Sequence, residues 1–139
     1  MISWGEPALL DRAEDRRGEP AWVEEQWQDP ATVVLAVTPE GSLGWFDDRP
    51  AYRPPVGERS GRHVLLGLLQ GRAVFAELVA EVAEGRTLRS VMDSLSEADL
   101  QVTFTAAGLA AWHGTAAFCG RCGAPTVPVR AGLVRQCTG

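Results

Sequence analysis

The 139-residue sequence predicts an α+β fold that passes into a small metal-bound hairpin. Three observations carry this. Apolar and β-branched runs at residues 32–37 and 63–79 stand between turn-rich stretches. A capped apolar segment opens at Ser96. Three cysteines, Cys119, Cys122 and Cys137, crowd the last 21 residues.

Taken in order, "EPAWVEEQWQDP" is the first element. Pro20 suits the opening position of a helix, Glu24 and Glu25 fall in its early turns, and Asp29-Pro30 stops it. Trp22 and Trp27 are expected to pack on the body. Residues 32–37, "TVVLAV", read as a buried strand, "TPEGS" as a turn with Gly41 free to take positive φ, and residues 43–46 as the returning strand. Residues 47–62 hold three prolines and two glycines and read as a long surface loop. The next stretch fits two templates. Val74, Phe75, Leu78, Val79 and Val82 have helical spacing, while "HVLLGLL", Gln70-Gly71 and "AVFAELV" make a hairpin with a tight turn. Beyond it, Ser96 and Asp99 form a capping pair, and Leu100, Phe104, Ala107 and Ala111 predict the buried stripe of a helix running to His113 or Gly114.

The net charge is −5, and all 13 basic residues are Arg. Residues 114–139 contain three Arg and no acid, so they carry +3 and the remainder −8. An acidic body is a poor match for a nucleic-acid backbone, although the basic tail is not. No apolar run approaches the ~20 residues that cross a bilayer, and no secretory leader pattern opens the chain. An odd, clustered set of cysteines is a poor disulfide framework and suits a metal site in a reducing compartment. A cytoplasmic location is therefore expected.

Cys119 and Cys122 have the C-x-x-C spacing that lets one tight loop offer two thiolates to an ion. Fourteen residues then lead to Cys137, about the length of two short strands and a turn, with Pro125 and Pro128 in the first arm and Ala131-Gly132 at the turn. This is one side of a C-x2-C…C-x2-C zinc ribbon, and a cysteine just past the end of the chain is expected as the fourth ligand. A redox C-x-x-C usually follows a strand and starts a helix; here it follows a helix and precedes a Pro-rich hairpin. Four thiolates would make the zinc structural, with no open position for water. His113 is the alternative nitrogen donor, although an interfacial, hydrogen-bonded histidine is the simpler reading; His63 is the other histidine. Neither a G-x-G-x-x-G nor a G-x-x-x-x-G-K-[ST] phosphate loop occurs.

"AWHGTAAFCGRCGAPTVPVRAGLVRQC" resembles the segment joining the two halves of bacterial NADH pyrophosphatases of the Nudix hydrolase superfamily. That segment has a helix ending near W-H, then F-C-x-x-C-G-x-P-T, a short arm and C-x-x-C. "LDRA", "EPAW" and "LLGLLQGRAVFAEL" are similar to earlier parts of the same family. The resemblance implies a Nudix-like N-terminal domain of mixed sheet and helices over residues 1–95, a connecting helix over 96–115 and a partial zinc ribbon over 116–139. It makes residues 63–69 and 73–79 a β-hairpin. It further implies a homodimeric enzyme that hydrolyses NAD(H) to NMN(H) and AMP, in some members also NAD-capped RNA, with Mg2+ or Mn2+ held by glutamates of a Nudix box. Residues 76–85, "AELVAEVAEG", lack the Arg and the glutamate register of that box, so this chain is expected to be inactive alone, with its catalytic domain lying elsewhere. Arg89, in "TLRSVM", matches a substrate-contacting Arg of the family. Where family members often have a Glu at the ribbon turn, this chain has Ala131-Gly132. The alternative expectation is a zinc-ribbon module that touches nucleic acid or a protein partner through Arg121, Arg130 and Arg135.

Overall fold

The computed structural model describes residues 9–139. Strand β1 (Leu10–Asp11) leads to α1 (Pro20–Gln28) and β2 (Val33–Val37). Three two-residue strands follow, β3 (Ser42–Leu43), β4 (Trp45–Phe46) and β5 (Arg49–Pro50), before the long pair β6 (His63–Leu69) and β7 (Arg72–Leu78). After β8 (Arg86–Thr87) and the single turn α2 (Leu88–Val91) comes α3 (Glu97–Thr115). The chain then forms the hairpin of β9 (Thr126–Val129) and β10 (Val134–Cys137).

The main sheet has the order β1-β6-β7-β2-β3-β8. Its pairs are antiparallel except β2 with β7, which run parallel. Side chains alternate across the pleat, so each central strand feeds two cores. Leu35, Val37, Leu66, Val74 and Ala76 face α3, where they meet Val102, Ala106 and Ala110. Val34, Leu65, Ala73 and Phe75 face the other way and pack on Trp22, Val23 and Trp27 of α1. The result is a mixed α+β architecture of three layers, with helices on both sheet faces.

Residues 63–79 form the hairpin rather than a helix. Gln70 (φ 53°) and Gly71 (φ 80°) supply the two left-handed positions of a tight turn. Burial on both faces explains the continuous apolar run that had also fitted helical spacing. Pro20 opens α1, Ser96 Oγ accepts from the Asp99 amide at 3.1 Å, and Trp22 and Trp27 are core residues, as the sequence predicts.

Two expectations are corrected. Residues 43–46 are not one returning strand: Leu43 pairs with Val37 in the main sheet, whereas Trp45 and Phe46 pair with β5 in a separate ribbon. Nor is the stripe Leu100, Phe104, Ala107 and Ala111 the buried face of α3. Phe104 is 48% exposed, and the buried residues are Val102, Thr103, Ala106, Ala110 and His113. Apolar residues surround this helix, so period alone selects no face. Close approach to the sheet favours the side with the small Ala106 and Ala110, and Thr103 satisfies its hydroxyl on the Asp99 carbonyl at 2.8 Å.

Candidate metal centre

Helix α3 ends at Thr115, and Phe118 bridges Pro125 to open a loop. Within that loop Cys119 N donates to the Ala124 carbonyl and Gly123 N to the Cys119 carbonyl, each at 2.8 Å. This tight knuckle points Cys119 and Cys122 to one side. The register of the ribbon hairpin, with Cys137 opposite Thr126, brings the third cysteine to the same end. The three sulfurs lie within 4.8 Å of one another, and Cys122 Sγ is 3.3 Å from Cys137 Sγ. A tetrahedral site with zinc–sulfur bonds of ~2.3 Å sets sulfurs about 3.8 Å apart, so the trio fits zinc with small adjustments.

The amides around the sulfurs fit as well. Arg121 N donates to Cys119 Sγ at 3.4 Å, and Gly139 N donates to Cys137 Sγ at the same distance. Both contacts run from residue i+2 back to the cysteine, so Cys137 repeats the turn with which the first knuckle begins. Amide donation from Arg121 and Cys122 brings the Cys119 thiol down to about 7, toward the thiolate that binds metal. At Cys137 the Gly139 amide pulls the thiol down, but Cys122 and Cys119 push it up and prevail. All three cysteines are free, and no other cluster of three or more His, Cys, Asp or Glu donors occurs among the described residues.

His113 is not part of this centre. It is buried, its Nε2 lies 2.7 Å from the Gly132 carbonyl, and its Nδ1 lies 2.7 Å from Arg135 Nη1. Arg can only donate, so Nδ1 accepts and Nε2–H donates to Gly132. Burial, opposed by the Gly132 carbonyl and reinforced by Arg135, holds the His113 pKa below its ordinary value. His63 is similarly engaged: Nδ1 accepts from the Ser60 amide at 2.9 Å, and Nε2 faces Glu77 Oε2 at 3.1 Å.

The turn end of the hairpin is bound to the body by contacts that sequence reasoning missed. Arg17 is 2% exposed. Its guanidinium donates to the carbonyls of Arg12 (2.8 Å), Arg130 (3.1 Å), Ala131 (3.3 Å) and Leu65. Gly132 (φ 93°) lies so close to β6 that a Cβ there would come within 2.6 Å of Val64. A Glu at the ribbon turn has no room at that position, which accounts physically for Gly132. No spacing pattern announces Arg17; two of its four acceptors, the Arg130 and Ala131 carbonyls, come only with the tertiary approach of the turn.

Arg89 sits in α2 and lines a groove of about 550 Å³ with Pro39, Glu40, Phe104, Ala107 and Ala111. None of the three cysteines contributes to that groove. Arg135 is committed to the fold, donating to Thr126 Oγ1 at 2.8 Å and the Thr126 carbonyl at 2.9 Å besides its contact with His113.

Knuckle, hairpin and clustered thiols have the form of a zinc ribbon, and the three sulfurs fit a zinc site. Residues 115–139 match the family model of the NADH pyrophosphatase zinc ribbon domain. The ribbon is thus similar to those of the NADH pyrophosphatases. No curated protein matches the chain.

Proposed function

We propose that the chain is the N-terminal and zinc-ribbon portion of an NADH pyrophosphatase of the Nudix superfamily. The observation that carries this reading is the match at residues 115–139, supported by three sulfurs within 4.8 Å of one another in a knuckle-and-hairpin setting. Cys119, Cys122 and Cys137 would hold a structural zinc, and a fourth thiolate three positions after Cys137 would complete the second knuckle that the Gly139 amide begins. The zinc would fix the loop and neutralise thiolate charge. The body over residues 1–95 would be the Nudix-like N-terminal domain, joined by a connecting helix over 96–115 to the ribbon at 116–139.

In this reading the complete enzyme is a cytoplasmic homodimer that cleaves NAD(H) to NMN(H) and AMP, and NAD-capped RNA as a second substrate class. Mg2+ or Mn2+ would be bound by a catalytic domain outside residues 1–139. Free thiols suit a reducing compartment, and no described helix is long and apolar enough to cross a membrane. Arg89 would offer forked donors to a substrate phosphate or ribose oxygen. Against a ribbon that binds nucleic acid or a protein, Arg135 is turned inward on Thr126 and His113, and Arg130 reaches the Glu14 carbonyl.

The test is the product of the complete gene. It is expected to release AMP from NADH with Mg2+ or Mn2+, whereas residues 1–139 alone release none above a protein-free control. A complete product that binds zinc at the three cysteines yet leaves NAD(H) intact would overturn the enzymatic reading and favour a binding module.

A further inference from the structure

A cleft of about 370 Å³ separates the α1 side of the body from the first arm of the ribbon. Arg17, Arg59, Arg130 and His63 line it, and among the described residues no carboxylate does. The volume lies in the range of small-molecule sites.

The cationic groups here are undersupplied with partners. Arg59 Nε is shielded from solvent and has no hydrogen-bond partner. Its ion-pair partner, Glu24 Oε2, stands 3.7 Å away, beyond hydrogen-bond range, on a side chain that is 48% exposed, so the pair is weak and screened. A buried donor left in this way is costly and rare in native folds. Across the cleft, Arg130 uses Nη2 on the Glu14 carbonyl. Its Nη1 hangs over Gly18, where a Cβ would come within 3.0 Å. Arg17 lies behind both, its donors spent on neutral carbonyls, and forms no ion pair among the described residues. Burial, then the charges of Arg12 and Arg130, bring its pKa down to about 10 against the opposing charge of Glu14.

We propose that this cleft binds the phosphoryl group of a small phosphate-bearing molecule, held by Arg59 from the body and Arg130 from the ribbon turn, with Arg17 adding charge from behind. A phosphoryl group has enough oxygens for two guanidinium forks at once, and its double charge answers three cations. Because the two gripping residues belong to different parts of the fold, an occupant would also stabilise the ribbon on the body by mass action. The cleft contains neither a cysteine nor Arg89, so the inference stands apart from both the zinc and the NAD(H) readings.

Calorimetric titration of the metal-free full chain, whose ribbon turn is seated without zinc, with inorganic phosphate, pyrophosphate and glycerol phosphate, at constant ionic strength, tests this. Saturable one-site binding is expected, weakened about tenfold by Arg59→Gln, the loss of one charge-assisted contact. Arg130→Gln should weaken it similarly, and Arg86→Gln should leave it unchanged. Arg59 has no hydrogen bond or ion pair to the ribbon among the described residues, so its variant reports binding even if Arg130→Gln loosens the turn. Preference for glycerol phosphate would identify a phosphoryl group on an organic molecule, and preference for the inorganic ions a free phosphate. Non-saturable binding, or binding as strong in Arg59→Gln as in the parent, would overturn the proposal.

Discussion

Arg17 shows how much one side chain can decide. A buried guanidinium without a carboxylate is tolerated because four carbonyls accept from it, three of them across long sequence distances. Arg17→Met should destabilise the protein by about 2–3 kcal/mol, since it leaves buried acceptors unmet. Arg17→Lys should recover only part of this, because an ammonium cannot span acceptors set out for a planar fork. Urea unfolding of both variants checks the order. Arg89 is the residue on which the substrate reading is most exposed. In the complete enzyme Arg89→Ala should raise KM for NADH and lower kcat/KM about ten- to a hundredfold, the worth of a charge-assisted contact of ~1.5–3 kcal/mol. An unchanged kcat/KM would make it an ordinary exposed Arg of α2.

Among the elements, the ribbon turn carries a pH dependence of definite sign. His113 is neutral in the fold, and its pKa is held below the value of 6.5 that it regains on unfolding. The unfolded chain therefore binds the extra proton first as pH falls. The contribution to stability is complete above about pH 6.5. It is lost below that, through the window down to the folded pKa, with a slope of at most about 1.4 kcal/mol per pH unit. Protonation would set an N–H against Arg135 and cost the Nδ1 acceptor. His113→Gln can keep an acceptor toward Arg135 and a donor toward Gly132. Its ribbon amides should therefore stay protected from hydrogen exchange at pH 5.5, where those of the parent exchange faster. Equal acid sensitivity in the two would show that another group governs the contact.

For the molecule as a whole, the ribbon is held at two ends by different physics. The turn end rests on Arg17, His113 and the close approach of Gly132 to Val64, none of which needs metal. The knuckle end depends on three thiols that would be ordered by zinc. Chelation should therefore loosen residues 119–124 and 137–139 in hydrogen exchange, while the packing of Trp22 and Trp27 and its fluorescence stay unchanged. Three thiolates alone should bind zinc substoichiometrically after dialysis, measured by elemental analysis. A cysteine added three positions after Cys137 should restore full occupancy, because a closed four-ligand site couples binding to local folding. Full occupancy resistant to chelators without that cysteine would mean that a donor from elsewhere, such as a second copy, completes the site.

The amino-acid sequence by itself determined whatever rests on local chemistry. Pro20 and Ser96 opened their helices, and the spacing of Cys119, Cys122 and Cys137 marked the candidate metal centre, because caps and knuckles are short-range and chemically selective. Residues 63–79 fitted helix and hairpin alike, and only the resemblance favoured the hairpin that forms. Tertiary structure alone decided which side of α3 is buried. Its apolar residues point in every direction, and the choice fell to the sheet, which admits the small Ala106 and Ala110 more closely than Phe104. It also decided that residues 43–46 divide between two sheets. The seating of the ribbon on Arg17, and the cationic cleft of Arg59 and Arg130 beside it, likewise left no trace in spacing. They exist because residues far apart in the sequence meet, and only the packed chain brings unpaired donors and acceptors face to face.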